Sequence, residues 1–158
     1  MKMQEGPTGH KPRHRTLLAL GLAAYAALLA CIVFWPRPVD RGLSGYLDQV
    51  LRLLHSFGAP AWVDYTLVEA AANVLLFFPA GLLLAAWLNP RWCWLAAVVG
   101  LCVSAGIEAT QALLLPERYA TPHDVVANGL GAALGTLAVY AWHSRSPTGR
   151  PQTRTHPD

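Results

Sequence analysis

Seven polar residues inside the apolar part of this chain form three groups with helical spacing. They are Glu69 with Asn73, Ser104 with Glu108 and Gln111, and Asp124 with Asn128. Partners are four residues apart, and Gln111 adds a seventh step, so each group lies along one face of a helix. Carboxyls brought together in a low dielectric titrate at separate pH values, which is what a general base and a general acid need. Glu108, Asp124 and Glu69 are therefore the candidates for acid–base chemistry. The carboxamides beside them suit hydrogen bonding to a polar headgroup. Other chemistries lack their residues. No histidine shares the depth of Ser104 and Glu108 to make a nucleophile–base pair, and no metal-ligand cluster, glycine-rich phosphate loop or cofactor motif occurs.

These residues sit where polar groups are costly. Glu108 interrupts the run WCWLAAVVGLCVSAGIEATQALLL, and a carboxylate near a bilayer centre costs about 2.5–3.5 kcal/mol on insertion scales. The composition makes a bilayer the expected surroundings: 54% of the 158 residues are hydrophobic and 13% charged, with a positive mean hydropathy of +0.32. Four apolar segments, residues 16–35, 66–88, 92–115 and 122–143, are each long enough to cross a hydrocarbon core of about 30 Å. The fold class is thus all-α, an integral membrane bundle of four transmembrane helices. Residues 1–15 and 144–158 are polar and basic and read as disordered ends around a membrane domain spanning 16–143. The sequence LLAC at 28–31 faintly matches a lipoprotein cleavage box. The apolar run continues through IVFW, so the first segment reads as a retained helix.

The net charge of +3 does not point to nucleic acid, because the basic residues flank apolar segments rather than line one face. Lys2, Lys11, Arg13, Arg15, Arg91, Arg145, Arg150 and Arg154 fall on one side of the bundle. Arg37, Arg41, Arg52 and Arg118 fall on the other, among Asp40, Asp48, Asp64 and Glu117. The positive-inside rule puts both termini in the cytoplasm of a multi-pass cell-membrane protein. Cys31, Cys93 and Cys102 are dispersed in apolar segments and read as packing residues, without a disulfide or zinc pattern. Between the first two spans, Leu43, Tyr46, Leu47, Val50, Leu54 and Phe57 recur at helical intervals. They predict a short amphipathic helix in the outer interface or on the rim of the bundle, with Asp48 and Arg52 paired on its wet side.

This topology collects the polar groups. Glu69 and Asn73 come roughly 5 and 10 Å below the outer end, and Glu108 and Gln111 roughly 10 and 6 Å, at 1.5 Å per residue. Asp124 and Asn128 occupy the first two turns of the last span, and Arg118 in the turn above is the cation placed to offset the carboxylates. Gly131 and Gly135 continue the Asp124 face, and Gly100 and Ser104 the Glu108 face, so the polar face is also the close-packing face. Simpler roles exist for each group. Thr121-x-x-Asp124 with Pro122 is a capping box, Glu69 is near enough to the surface to reach water, Asn73 and Asn128 suit interhelical hydrogen bonds, and Glu108 suits an ion pair with Arg118.

The ordered set Asn73-VLLFFPAG, Ser104-xxx-Glu108-xx-Gln111 and Arg118-xxxxx-Asp124-xxx-Asn128-GLG-xxx-Gly135 resembles the VanZ-like membrane proteins over about residues 66–140. The resemblance implies a small multi-helix membrane architecture. It also implies a link to teicoplanin-type resistance, since the family takes its name from a protein associated with low-level resistance to that lipid-tailed glycopeptide. Three functions are open. One is binding of a membrane lipid, cell-envelope precursor or lipophilic glycopeptide in an outward-facing polar pocket formed by Glu69, Asn73, Ser104, Glu108, Gln111, Arg118, Asp124 and Asn128. A second is an intramembrane enzyme acting on an envelope lipid through its carboxyls. The third is a small proton-coupled exporter built as a homo-oligomer, against which stands the near absence of ionisable groups in the inner half of every span.

Overall fold

The computed structural model describes residues 11–34, 44–114 and 121–145. The expectations for residues 1–10 and 146–158 and for Arg118 fall outside the described residues. Within them the chain is all-helical: α1 (Lys11–Val33), α2 (Ser44–Ser56), α3 (Tyr65–Trp87), α4 (Leu95–Leu114) and α5 (Pro122–Arg145). All but α2 are long and apolar enough to cross a membrane.

Local chemistry sets the boundaries. α1 begins at Lys11 rather than at residue 16, so residues 11–15 form its first turn instead of a disordered lead. Pro12 is tolerated there because a first-turn N–H has no helical acceptor, and the Arg15 guanidinium carbon lies over the Trp87 ring on α3, 5.7 Å from its centroid. Asp64 caps α3 by accepting from the Leu67 N–H at 3.0 Å. α3 then runs through Pro79 without a break. The Tyr25 hydroxyl of α1 donates to the Leu76 carbonyl at 2.7 Å, next to the Leu75 carbonyl that Pro79 leaves without a helical donor. α4 starts at Leu95, later than residue 92, because Pro90–Trp92 form a 3₁₀ turn in which Asn89 accepts from the Arg91 N–H at 3.3 Å.

α2 ends on Gly58 (φ +93°), where Gly58 N–H bonds to His55 and Ala59 N–H to Leu54, a left-handed glycine cap. Its surface divides into three arcs. Leu51 is buried and Leu47 half-buried toward the bundle, whereas Tyr46, Val50, Leu53, Leu54 and Phe57 are exposed. Asp48, Arg52 and His55 occupy the polar arc. Asp48 and Arg52 do not form the expected ion pair among the described residues; both are exposed, where hydration outweighs such a contact.

α3 and α5 run parallel and make the most extensive contact, with α4 returning antiparallel mainly against α5 and α1 resting on α3. Gly131 and Gly135 of α5 lie against the backbone of α3 at Val74 and Phe78, and Gly81 of α3 lies against the backbone of Ala132. At all three positions an added Cβ would strike backbone atoms. Gly100 of α4 faces the Ala132 side chain. Large apolar side chains point outward instead: Leu75 is 71% exposed and Val126 68%. Small and polar residues share the interior with Phe77, Ile107, Leu29 and Val33, and most of the other large apolar side chains face outward, the arrangement suited to lipid rather than water.

Candidate functional site

The arrangement places α1's C-terminus, α3's N-terminus, α4's C-terminus and α5's N-terminus at one end, called here the polar end. Four of its hydrogen bonds cross between segments. Asn73 Nδ2 on α3 donates to Asp124 Oδ1 on α5 at 2.7 Å. Asn128 Nδ2 on α5 donates to Ser104 Oγ on α4 at 2.9 Å. The Thr121 N–H, at the start of α5, donates to Glu108 Oε2 on α4 at 2.9 Å. Gln111 Nε2 on α4 donates to the Val33 carbonyl at the end of α1 at 2.7 Å. Ser104, Glu108, Gln111 and Asn128 are buried, Asn73 and Asp124 half-buried, and Glu69 exposed.

The start of α5 exchanges carboxylates. In a complete capping box the N-cap hydroxyl would take the N–H of the third residue, whose carboxylate would return to the N-cap N–H. Here the Asp124 N–H does point to Thr121 Oγ1, at 3.4 Å. The return bond is supplied by Glu108 from a different helix, and Asp124 is released to bind Asn73. A carboxylate at a helix N-terminus also lies against the positive end of the helix dipole. This is a local reason for an acid within the apolar run of α4.

Gln111 has a comparable explanation. The last carbonyls of a helix have no helical donor, and Gln111 satisfies one of them on α1. Asn128 is less complete: its Oδ1 is buried and has no hydrogen-bond partner among the described residues. Such an acceptor costs about 1–3 kcal/mol relative to a satisfied one.

Sequence reasoning named seven of these side chains but missed two of their main-chain partners and the Tyr25–Leu76 bond between α1 and α3. The Val33 carbonyl and the Thr121 N–H are main-chain groups, for which a sequence carries no residue-type signal beyond proximity to a helix end. Tyr25 did carry a signal, as an isolated hydroxyl in the apolar run of α1. A model of the VanZ/LLP1 family matches residues 22–143. No curated protein matches the chain, and no solved structure does.

Proposed function

The chain belongs to the VanZ/LLP1 family, and from that membership we propose that it is a multi-pass membrane protein whose polar end binds the headgroup of a lipid-tailed molecule. Membrane lipids, lipid-linked cell-envelope precursors and lipophilic glycopeptides of the teicoplanin type share that chemistry: an acyl or isoprenoid tail beside a group rich in hydrogen-bond donors. In this reading the basic end, with Arg13, Arg15, Arg91 and Arg145, faces the cytoplasm, and the polar end opens outward.

The observation that carries the reading is the buried polar layer. Interhelical hydrogen bonds in membrane proteins contribute on average about 0.6 kcal/mol each, less than the roughly 2.5–3.5 kcal/mol that one carboxylate costs on insertion. A bundle selected only for stability would fill this layer with apolar side chains. Here Glu108, Gln111, Ser104 and Asn128 are all buried together, and Asn128 Oδ1 is an acceptor without a donor among the described residues.

The test is native mass spectrometry of the full chain in neutral detergent, with phosphatidylethanolamine, undecaprenyl phosphate and teicoplanin as separate probes. At least one should remain bound to the wild type and be lost from Asp124→Asn and Asn128→Ala at unchanged helicity. Identical adducts on all three proteins, or none on the wild type, would remove the polar end as a binding site.

A further inference from the structure

The opposite end of the bundle has a different character. Arg13 and Arg15 open α1, Arg91 lies in the 3₁₀ turn after α3, and Arg145 closes α5. All four side chains are exposed. No acidic side chain among the described residues shares this end: Asp48, Asp64, Glu69, Glu108 and Asp124 all belong to the polar end or to α2 beside it. Trp92, Trp94 and Trp142 are also exposed here, at 55%, 53% and 76%. Exposed tryptophans between apolar helices and basic termini are what a bilayer's interfacial zone accommodates.

One of these cations is already ordered. The Arg15 guanidinium lies 5.7 Å from the centre of the Trp87 ring. A guanidinium held over an aromatic face is attracted by the ring's π electrons, and its planar fork of N–H donors matches two oxygens of a phosphate. The contact also restricts a long side chain before any ligand arrives, which lowers the entropy lost on binding. Arg91 follows Trp87 by one short turn, with its main chain fixed by the Asn89 side chain. From these features we propose that Arg15, held over the Trp87 ring, and Arg91 hold the phosphate of an anionic phospholipid at the seam between α1 and α3. The site is separate from the polar end and does not depend on the function proposed for it.

The test uses the full chain in neutral detergent, titrated with phosphatidylglycerol or with phosphatidylcholine of the same acyl chains, and bound lipid is read by native mass spectrometry. Phosphatidylglycerol should be retained in preference, and Arg15→Gln should weaken it roughly fivefold, the factor expected for one interfacial cation. Arg15→Lys should fall between, because it keeps the charge but loses the planar fork. Trp87→Leu should weaken binding with every charge in place. Arg52→Gln, on α2 at the other end, should bind as the wild type does. If Arg15→Gln does not purify as a helical protein, Arg91→Gln in the exposed turn provides the same reading. Equal retention of the two lipids overturns the proposal, as does an Arg15→Gln or Arg91→Gln protein indistinguishable from Arg52→Gln. Displacement by millimolar inorganic phosphate, but not by sodium chloride of equal ionic strength, would assign a free-anion site and likewise reject the lipid.

Discussion

The two halves of the bundle are built from the same helices and both pack apolar side chains, but the polar half, around Leu29, Val33, Phe77 and Ile107, adds interhelical hydrogen bonds. Toward the basic end, α3 and α5 close on each other's backbone through Gly81, Gly131 and Gly135, with Ala85, Ala96, Cys93 and Val139 filling the space beyond. Dispersion between close backbones is the adhesive there, and it needs small residues but no particular partner atom. Toward the polar end the helices are joined by Asn73–Asp124, Ser104–Asn128, Thr121–Glu108 and Gln111–Val33. Each of those bonds contributes little energy, yet each works only at one rotation and one height of its helix. The glycine half supplies adhesion and the polar half supplies register. Substitutions in the first should change stability, and substitutions in the second should separate stability from function.

The largest effect is expected at Gly135. A valine there would drive its side chain into the α3 backbone at Phe78 and Leu82, neither of which can swing aside. We expect Gly135→Val to lose about 3 kcal/mol or more, as overpacking in a rigid contact does. Gly106→Ala has open space around its Cβ and should stay within about 1 kcal/mol of the wild type, since alanine is the better helix former. Thermal unfolding in a fixed detergent compares them. Equal loss in both would mean that α3 and α5 do not meet as described.

A smaller effect is expected from Asp124→Leu, which leaves the Asn73 amide without its acceptor and should cost about 1–3 kcal/mol. Asn73→Leu/Asp124→Leu should recover part of that loss, because neither half-buried group is then stranded. If the two single effects simply add, the hydrogen bond does not join these helices.

Gln111→Leu should cost still less, about 0.6–1.7 kcal/mol, and the loss should be local. It removes one hydrogen bond from the Val33 carbonyl at the end of α1, so hydrogen exchange should rise in the last turn of α1 and not in α5. Exchange that rises evenly along the chain would show that Gln111 does not hold α1.

How much of this was legible in the sequence depended on the kind of partner. Hydropathy and length placed four spans, because a bilayer imposes one length on every crossing helix. The glycine face was readable because small residues four apart have one main use between helices. Glu108 and Gln111 were recognisable as out of place, but their partners were not. Glu108 accepts from the N–H of Thr121 and Gln111 donates to the carbonyl of Val33, main-chain groups that carry no residue-type signal. An ion pair with Arg118 was the expected compensation for Glu108 because side chains are what a sequence displays; Arg118 lies outside the described residues. The capping box illustrates the same limit. Thr121, Pro122 and Asp124 placed the start of α5 at Pro122, but not the arrival of a carboxylate from α4 in place of Asp124.

The smallest change in stability, and the sharpest division between the two roles, is expected at Glu108. Glutamine keeps an oxygen that accepts from the Thr121 N–H, so Glu108→Gln preserves the cap while removing the carboxylate's charge at the start of α5. That charge contributes about 0.3–1 kcal/mol at a helix N-terminus, against which stands a lower cost of placing a neutral side chain in the bundle. Net stability should therefore move by less than about 1 kcal/mol. Glu108→Ala removes the acceptor as well and should cost about 1–3 kcal/mol by stranding a half-buried N–H. Retention of whichever lipid-tailed probe the wild type binds should nevertheless fall several-fold in both variants, because a headgroup donor loses a charged acceptor in each. Thermal unfolding and native mass spectrometry on the same preparations read the two effects side by side. A Glu108→Gln protein with full stability and full retention would reduce Glu108 to the clasp between α4 and α5, and the binding role would pass to Asp124 and Asn128 alone.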